Sequence, residues 1–143
     1  MADGRRIPID PAPTGSARGR DSPARVHAEP VGPAAGEPLS SYFGTRSGDK
    51  GGNANVGVWA RDASGYAWLD RNLTVEALSA LIPEATGLPI HRYELPKLFA
   101  LNFVIVGYLG QGVAASTAFD PQAKGLGEYL RARVWPPPPP FGA

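Results

Sequence analysis

The residues best suited to chemistry stand together in one stretch, Arg46-Ser-Gly-Asp-Lys-Gly-Gly-Asn-Ala-Asn55. Gly48, Gly51 and Gly52 permit positive φ, so successive backbone N–H groups can converge on an anion. Lys50 adds a point charge suited to phosphate or carboxylate. Ser47, Asn53 and Asn55 add side-chain hydrogen bonds. This chemistry suits an anionic group such as a phosphate. It is not a P-loop, because the Gly-x4-Gly-Lys-Ser/Thr spacing is absent. The same residues also suit a tight strand-to-strand connection, with Asp49 and Lys50 solvated and the asparagines bonding the backbone. Asp49 and Lys50 qualify as an acid–base pair only if they are buried and shifted in pKa. Neighbours on a glycine turn are ordinarily solvated.

The remaining catalytic inventory is thin. Cysteine is absent, which removes disulfides, thiolate metal sites and a cysteine nucleophile. His27 and His91 are the histidines, and His91 alone falls in globular sequence. A triad of Ser47 or Ser116 with His91 and Asp49 lacks a nucleophile-elbow pattern. Scattered carboxylates and one histidine make no metal-ligand spacing. Gly110-Gln-Gly-Val-Ala-Ala115 mimics a dinucleotide fingerprint, with Glu128 downstream. The short interval from Gly112 to Pro121 leaves no room for the crossover helix. No cofactor and no metal is expected. Trp59, Tyr66 and Trp68 read as packing residues rather than a nucleobase platform.

These residues need elements to hold them. The chain has 143 residues, with 16 Pro and 18 Gly unevenly spread. Residues 1–38 carry seven prolines and five glycines and read as a disordered tail. Residues 136–143 read as a polyproline tail. Residues 39–135 are globular, with nine Lys/Arg against eight Asp/Glu. That balance offers no basic field for nucleic acid. No apolar run reaches the length of a membrane span. Arg5-Arg6 is not followed by an apolar export segment. The expectation is a soluble cytoplasmic protein.

Within 39–135, Leu39 to Thr45 reads as a first strand and the glycine stretch as the turn after it. Asn53 to Ala60 alternates, placing Ala54, Val56, Val58 and Ala60 on one face and both asparagines on the other. Residues 61–65 read as a loop, and 66–73 as one or two helical turns. Thr74 is an N-cap for a helix carrying Val75, Leu78, Leu81 and Ile82 on one side. Ile90 to Glu94 reads as a third strand. Phe99 to Tyr108 reads as a central strand with Asn102 as its polar exception. Val113 to Ala118 suits a short extended piece. Asp120-Pro121 suits the start of a last helix, weakened by Gly125 and Gly127. Layer rules give an α+β sandwich: a mainly antiparallel sheet with two helices on one face.

Several of these motifs, in order, resemble the C-terminal domain of the acyclic terpene utilisation (AtuA-like) family. They are Arg46-Ser-Gly-Asp-Lys-Gly-Gly-Asn-Ala-Asn-Val-Gly-Val-Trp-Ala-Arg61, Tyr93-Glu-Leu-Pro96, Ala100-Leu-Asn-Phe103, Gly112-Val-Ala-Ala-Ser116 and Asp120-Pro-Gln-Ala-Lys-Gly125. The resemblance covers about residues 39–133 and implies a ferredoxin-like fold. In that family the domain usually follows a much larger core domain, and the proteins are tied to breakdown of acyclic terpenes and related acyl-CoA compounds. Here a Pro-rich segment stands where the core would be. The resemblance therefore implies an accessory subunit that docks on a separately encoded AtuA-like core protein; a homo-oligomer is the alternative expectation for its partner. The expected ligand- or partner-contacting residues are Ser47, Gly48, Asp49, Lys50, Gly51, Gly52, Asn53, Asn55 and Asn102. The competing expectations are a small acyl-CoA hydratase or hydrolase using Asp49 and Lys50, and a non-catalytic anion-binding module.

Overall fold

A computed structural model describes residues 28–110 and 120–137. Its frame is one antiparallel sheet of four strands: β1 (Gly44–Lys50), β2 (Asn53–Trp59), β3 (Ile90–Leu95) and β4 (Ala100–Ile105). Their spatial order is β1-β2-β4-β3. Two helices, α1 (Ala63–Asn72) and α2 (Val75–Leu81), carry the chain from β2 to the far edge. β4 then fills the gap between β2 and β3. The result is the split crossover of a ferredoxin-like sandwich. The last helix, α3 (Leu126–Ala132), lies against β1.

Strand register assigns every side chain to a face, because partners directly across an antiparallel ladder point the same way. Val58 pairs with Leu101, Val56 with Phe103 and Ala54 with Ile105. All six are fully buried. They form the floor of the core, and each of the larger ones contributes about 1.5–3 kcal/mol of burial. Leu69 of α1, Leu78 and Leu81 of α2, and Leu130 of α3 close over that floor. The helices therefore cover one face of the sheet, and among the described residues no element covers the other.

The fold class agrees with expectation, while several boundaries move. Leu39–Ser41 is a 3-10 turn, not strand, with the Tyr42 and Phe43 N–H groups bonded back to the Leu39 carbonyl. The strand starts at Gly44, which pairs with Trp59, and a two-residue hairpin loop carries it to Lys50 opposite Asn53. Residues 61–65 are not all loop: the Asp62 carboxylate accepts from Gly65 N at 2.8 Å and caps a ten-residue α1. Thr74 caps α2 as expected, accepting from Ala77 N. Three α-helices, not two, are present among the described residues.

The last helix begins at Leu126 rather than Pro121. Asp120 instead caps a turn, accepting from Lys124 N and Gly125 N, while Ala123 is left-handed at φ 51. The segment expected at 113–118 lies outside the described residues, as do 1–27 and 138–143.

Order also starts before Leu39. Val31 N donates to the Ser64 carbonyl, and Gly32 lies flat against the Trp68 indole, where any Cβ would collide. Glu37 and Trp135 join through the Trp135 N–H and the Glu37 carbonyl at 2.9 Å. Trp135 then meets Trp68 edge-on at 4.8 Å between centroids. Prolines bar residues 28–38 from helix, but they do not bar an extended strap over aromatic rings. No helix among the described residues is long and apolar enough to cross a membrane.

Candidate functional site

The glycine-rich stretch is mostly strand. Ser47, Gly48, Asp49 and Lys50 belong to β1, and only Gly51 and Gly52 form the loop. Of the stretch's glycines Gly51 alone has positive φ, at 64°. It occupies the first loop position, where a type II′ hairpin requires glycine. Gly48 is extended and pairs with Asn55 in the ladder. A nest of convergent N–H groups, expected from three flexible glycines, is therefore not the local geometry. Asn53 has a structural partner, its Oδ1 accepting from Gly107 N at 2.9 Å. Gly52 reinforces the same corner, its carbonyl accepting from Leu109 N.

Strand alternation separates the rest. Thr45, Ser47 and Asp49 face the helices, opposite Val58, Val56 and Ala54. The Ser47 hydroxyl accepts from Gly127 N at 2.7 Å and donates to the Lys124 carbonyl at 3.1 Å. The buried Thr45 hydroxyl donates to the Gly127 carbonyl at 2.7 Å. Ser47 thus fastens α3 to β1, and its hydroxyl is engaged within the fold. Gly127 packs tightly there: a Cβ would stand 3.2 Å from both hydroxyl oxygens, closer than ordinary contact.

Asp49 and Lys50 are exposed and point to opposite faces of the sheet, so they do not converge on one substrate atom. His91 lies on the open face opposite Val104, whereas Ser47 and Asp49 lie on the helix face. The triad geometry is therefore absent for Ser47. Ser116 lies outside the described residues. No group of three or more metal-ligating side chains occurs among the described residues.

The open face gathers the other expected residues and several that the motif reading missed. Its rows follow the register. Gly44, Trp59, Ala100 and Leu95 form the first; Arg46, Gly57, Asn102 and Tyr93 the second; Gly48, Asn55, Val104 and His91 the third. Lys50 and Asn53 begin a fourth. Trp59 is 41% exposed, Tyr93 51% and Leu95 40%. The Trp59 indole leans over Gly44, where a Cβ would overlap its ring. Arg46, Trp59 and Tyr93 were missed because the sequence reading followed the polar turn. The signal was present in the period-two alternation from Arg46 to Lys50 and from Asn53 to Trp59.

On the helix side a cleft of about 530 Å³ is lined by Glu84, Tyr108, Asp120, Gly125, Leu126 and Tyr129. Burial, then the Glu84, Tyr129 and Asp120 groups around it, push the Tyr108 phenol above its ordinary pKa. Elsewhere on the helix side, Arg92 reaches from β3 to the Leu73 and Asp70 carbonyls and to the Asp70 and Glu94 carboxylates. That cluster ties β3 to the end of α1.

No curated protein and no solved structure matches the chain significantly. The family model described as the AtuA ferredoxin-like domain matches residues 38–134. That span runs from the Pro38–Val134 bridge through every strand and helix described above. The chain belongs to the AtuA ferredoxin-like domain family.

Proposed function

We propose that this chain is an accessory docking domain for a separately encoded AtuA-family core protein, working in cytoplasmic acyl-CoA or acyclic-terpenoid catabolism. The observation that carries the reading is the uncovered sheet face, on which Trp59, Tyr93 and Leu95 stand 40% exposed or more. Large exposed apolar side chains grouped on one face mark an interaction surface. Family membership supports the pathway part of this reading. Contact with an anionic group falls to the Arg46 and Lys50 side chains, because the backbone around Gly48 is engaged in the ladder. Gly48, Asn55 and Asn102 contribute the floor between them.

Independent catalysis has less support. Asp49 and Lys50 diverge, and His91 stands on the face opposite Ser47. The test is co-expression with an AtuA-family core-domain protein followed by size-exclusion chromatography. Co-elution supports docking. Separate elution, together with acyl-CoA turnover by this chain alone that Asp49→Asn abolishes, supports the enzyme instead.

A further inference from the structure

Two glycines on the open face have no reason within the fold. Gly48 lies mid-strand in β1, and a Cβ there would meet nothing within 4 Å. Gly57 lies mid-strand in the interior strand β2, and a Cβ there would meet only the Arg46 carbonyl at an ordinary 3.7 Å. Neither has the positive φ that favours glycine. Glycine within a strand weakens it, and one that no bulge or bend calls for often marks a place where another group approaches the backbone closely. Here they leave a bare strip of sheet, with Trp59 at one end and Asn55, Asn102 and Lys50 around it.

Among the described strand residues, charge on this face has one sign, carried by Arg46 and Lys50. Both strand carboxylates, Asp49 and Glu94, fall on the helix face, opposite Ala54 and Leu101. The chain as a whole is nearly neutral, at +1, so this asymmetry is local. A second copy packed face to face would bring Arg46 and Lys50 of both copies into one interface with no strand carboxylate between them. Like charges so placed disfavour that pairing.

We infer that the occupant of the open face is an acidic surface of a different polypeptide, seated with its backbone or a small apolar side chain on the Gly48–Gly57 strip. Carboxylates of that surface meet Arg46 and Lys50, and Trp59 closes the apolar end. This rests on the docking reading above and specifies the partner: the AtuA-family core protein presents an acidic patch.

The test uses the full chain and the core-domain protein, with affinity measured by calorimetry across a salt series. Wild-type affinity should fall as salt rises. Arg46→Glu with Lys50→Glu should weaken binding by about tenfold or more. Gly57→Thr should keep or raise Tm, since threonine suits an open strand position, yet weaken binding by a similar factor. Binding unaffected by salt and by both variants would overturn the inference while leaving docking intact. Failure of any complex to form would overturn docking and the inference with it. A wild-type homodimer dissolved by Gly57→Thr would assign the face to a second copy and overturn the inference. The charge variants keep the test decisive if Gly57→Thr fails to fold.

Discussion

The Ser47 hydroxyl lies 2.7 Å from Gly127 N, joining the middle of the first strand to the first turn of the last helix across 80 residues of chain. A serine that looked like a ligand contact is therefore a fastener. Ser47→Ala should lower stability by about 1–3 kcal/mol, because it leaves Gly127 N and the Lys124 carbonyl without their partner. Gly127→Ala should cost a similar amount by crowding both hydroxyls. Chemical denaturation measures both. A Ser47→Ala protein of unchanged stability would contradict the role.

Arg92 makes a second long-range tie. Its side chain is 17% exposed and bonds Asp70 Oδ1 at 2.9 Å, with the Leu73 carbonyl at 3.2 Å. Arg92→Lys should destabilise nearly as much as Arg92→Ala, by about 1–3 kcal/mol, since an ammonium cannot span the guanidinium's several acceptors. Thermal melting of the two variants checks this, and full rescue by lysine would contradict it.

Gly44 and Gly57 share the open face but differ in environment. A Cβ at Gly44 would overlap the Trp59 ring, whereas one at Gly57 has room. Gly44→Ala should therefore push the indole off the sheet and shift its fluorescence to the red. Gly57→Ala should leave the emission unchanged. Equal spectra for the two variants would contradict the stacking of Trp59 on Gly44.

Two tyrosines titrate late. Burial is the main cause for Tyr66, reinforced by the Asp70 and Glu94 charges, and burial with the Glu84 charge acts on Tyr108. A folded pKa raised above the unfolded value of 10.0 means that the folded protein holds the proton more tightly. The stability so gained is complete below that pH and is lost as pH rises through the folded values. Phenolate absorbance should show ionisation of these two tyrosines delayed to higher pH than in the unfolded chain. On the acid side, the Glu76 carboxyl is held below its ordinary value by its own backbone N–H and by Thr74. Its contribution is present above pH 4.5 and fades as pH falls through the folded value.

Much of the fold could be read from apolar periodicity. The alternation through Ala54, Val56 and Val58 and the run through Leu101, Phe103 and Ile105 specify two adjacent strands with one buried face. Thr74 announced its helix by capping chemistry that is local in sequence. The misplaced boundaries share a different cause. The Leu39 N–H is claimed by the Arg133 carbonyl, and Gly127 is held in its helix because Ser47 and Thr45 reach it from β1. Such long-range bonds leave no local trace. The candidate site shifted for the same reason. Glycine, lysine and serine suggested a polar turn, but pairing with β2 extends β1 through Lys50 and distributes those residues over two faces.

The proposed docking surface for an AtuA-family core protein is Trp59 and the sheet face around it. Sedimentation velocity of the two proteins mixed tests it most directly, with Trp59→Ser on the open face and Glu84→Lys on the helix side. Docking through the open face predicts a complex for wild type and Glu84→Lys that Trp59→Ser weakens or abolishes. A complex that Trp59→Ser leaves intact and Glu84→Lys disrupts would place the interface on the helices and contradict it.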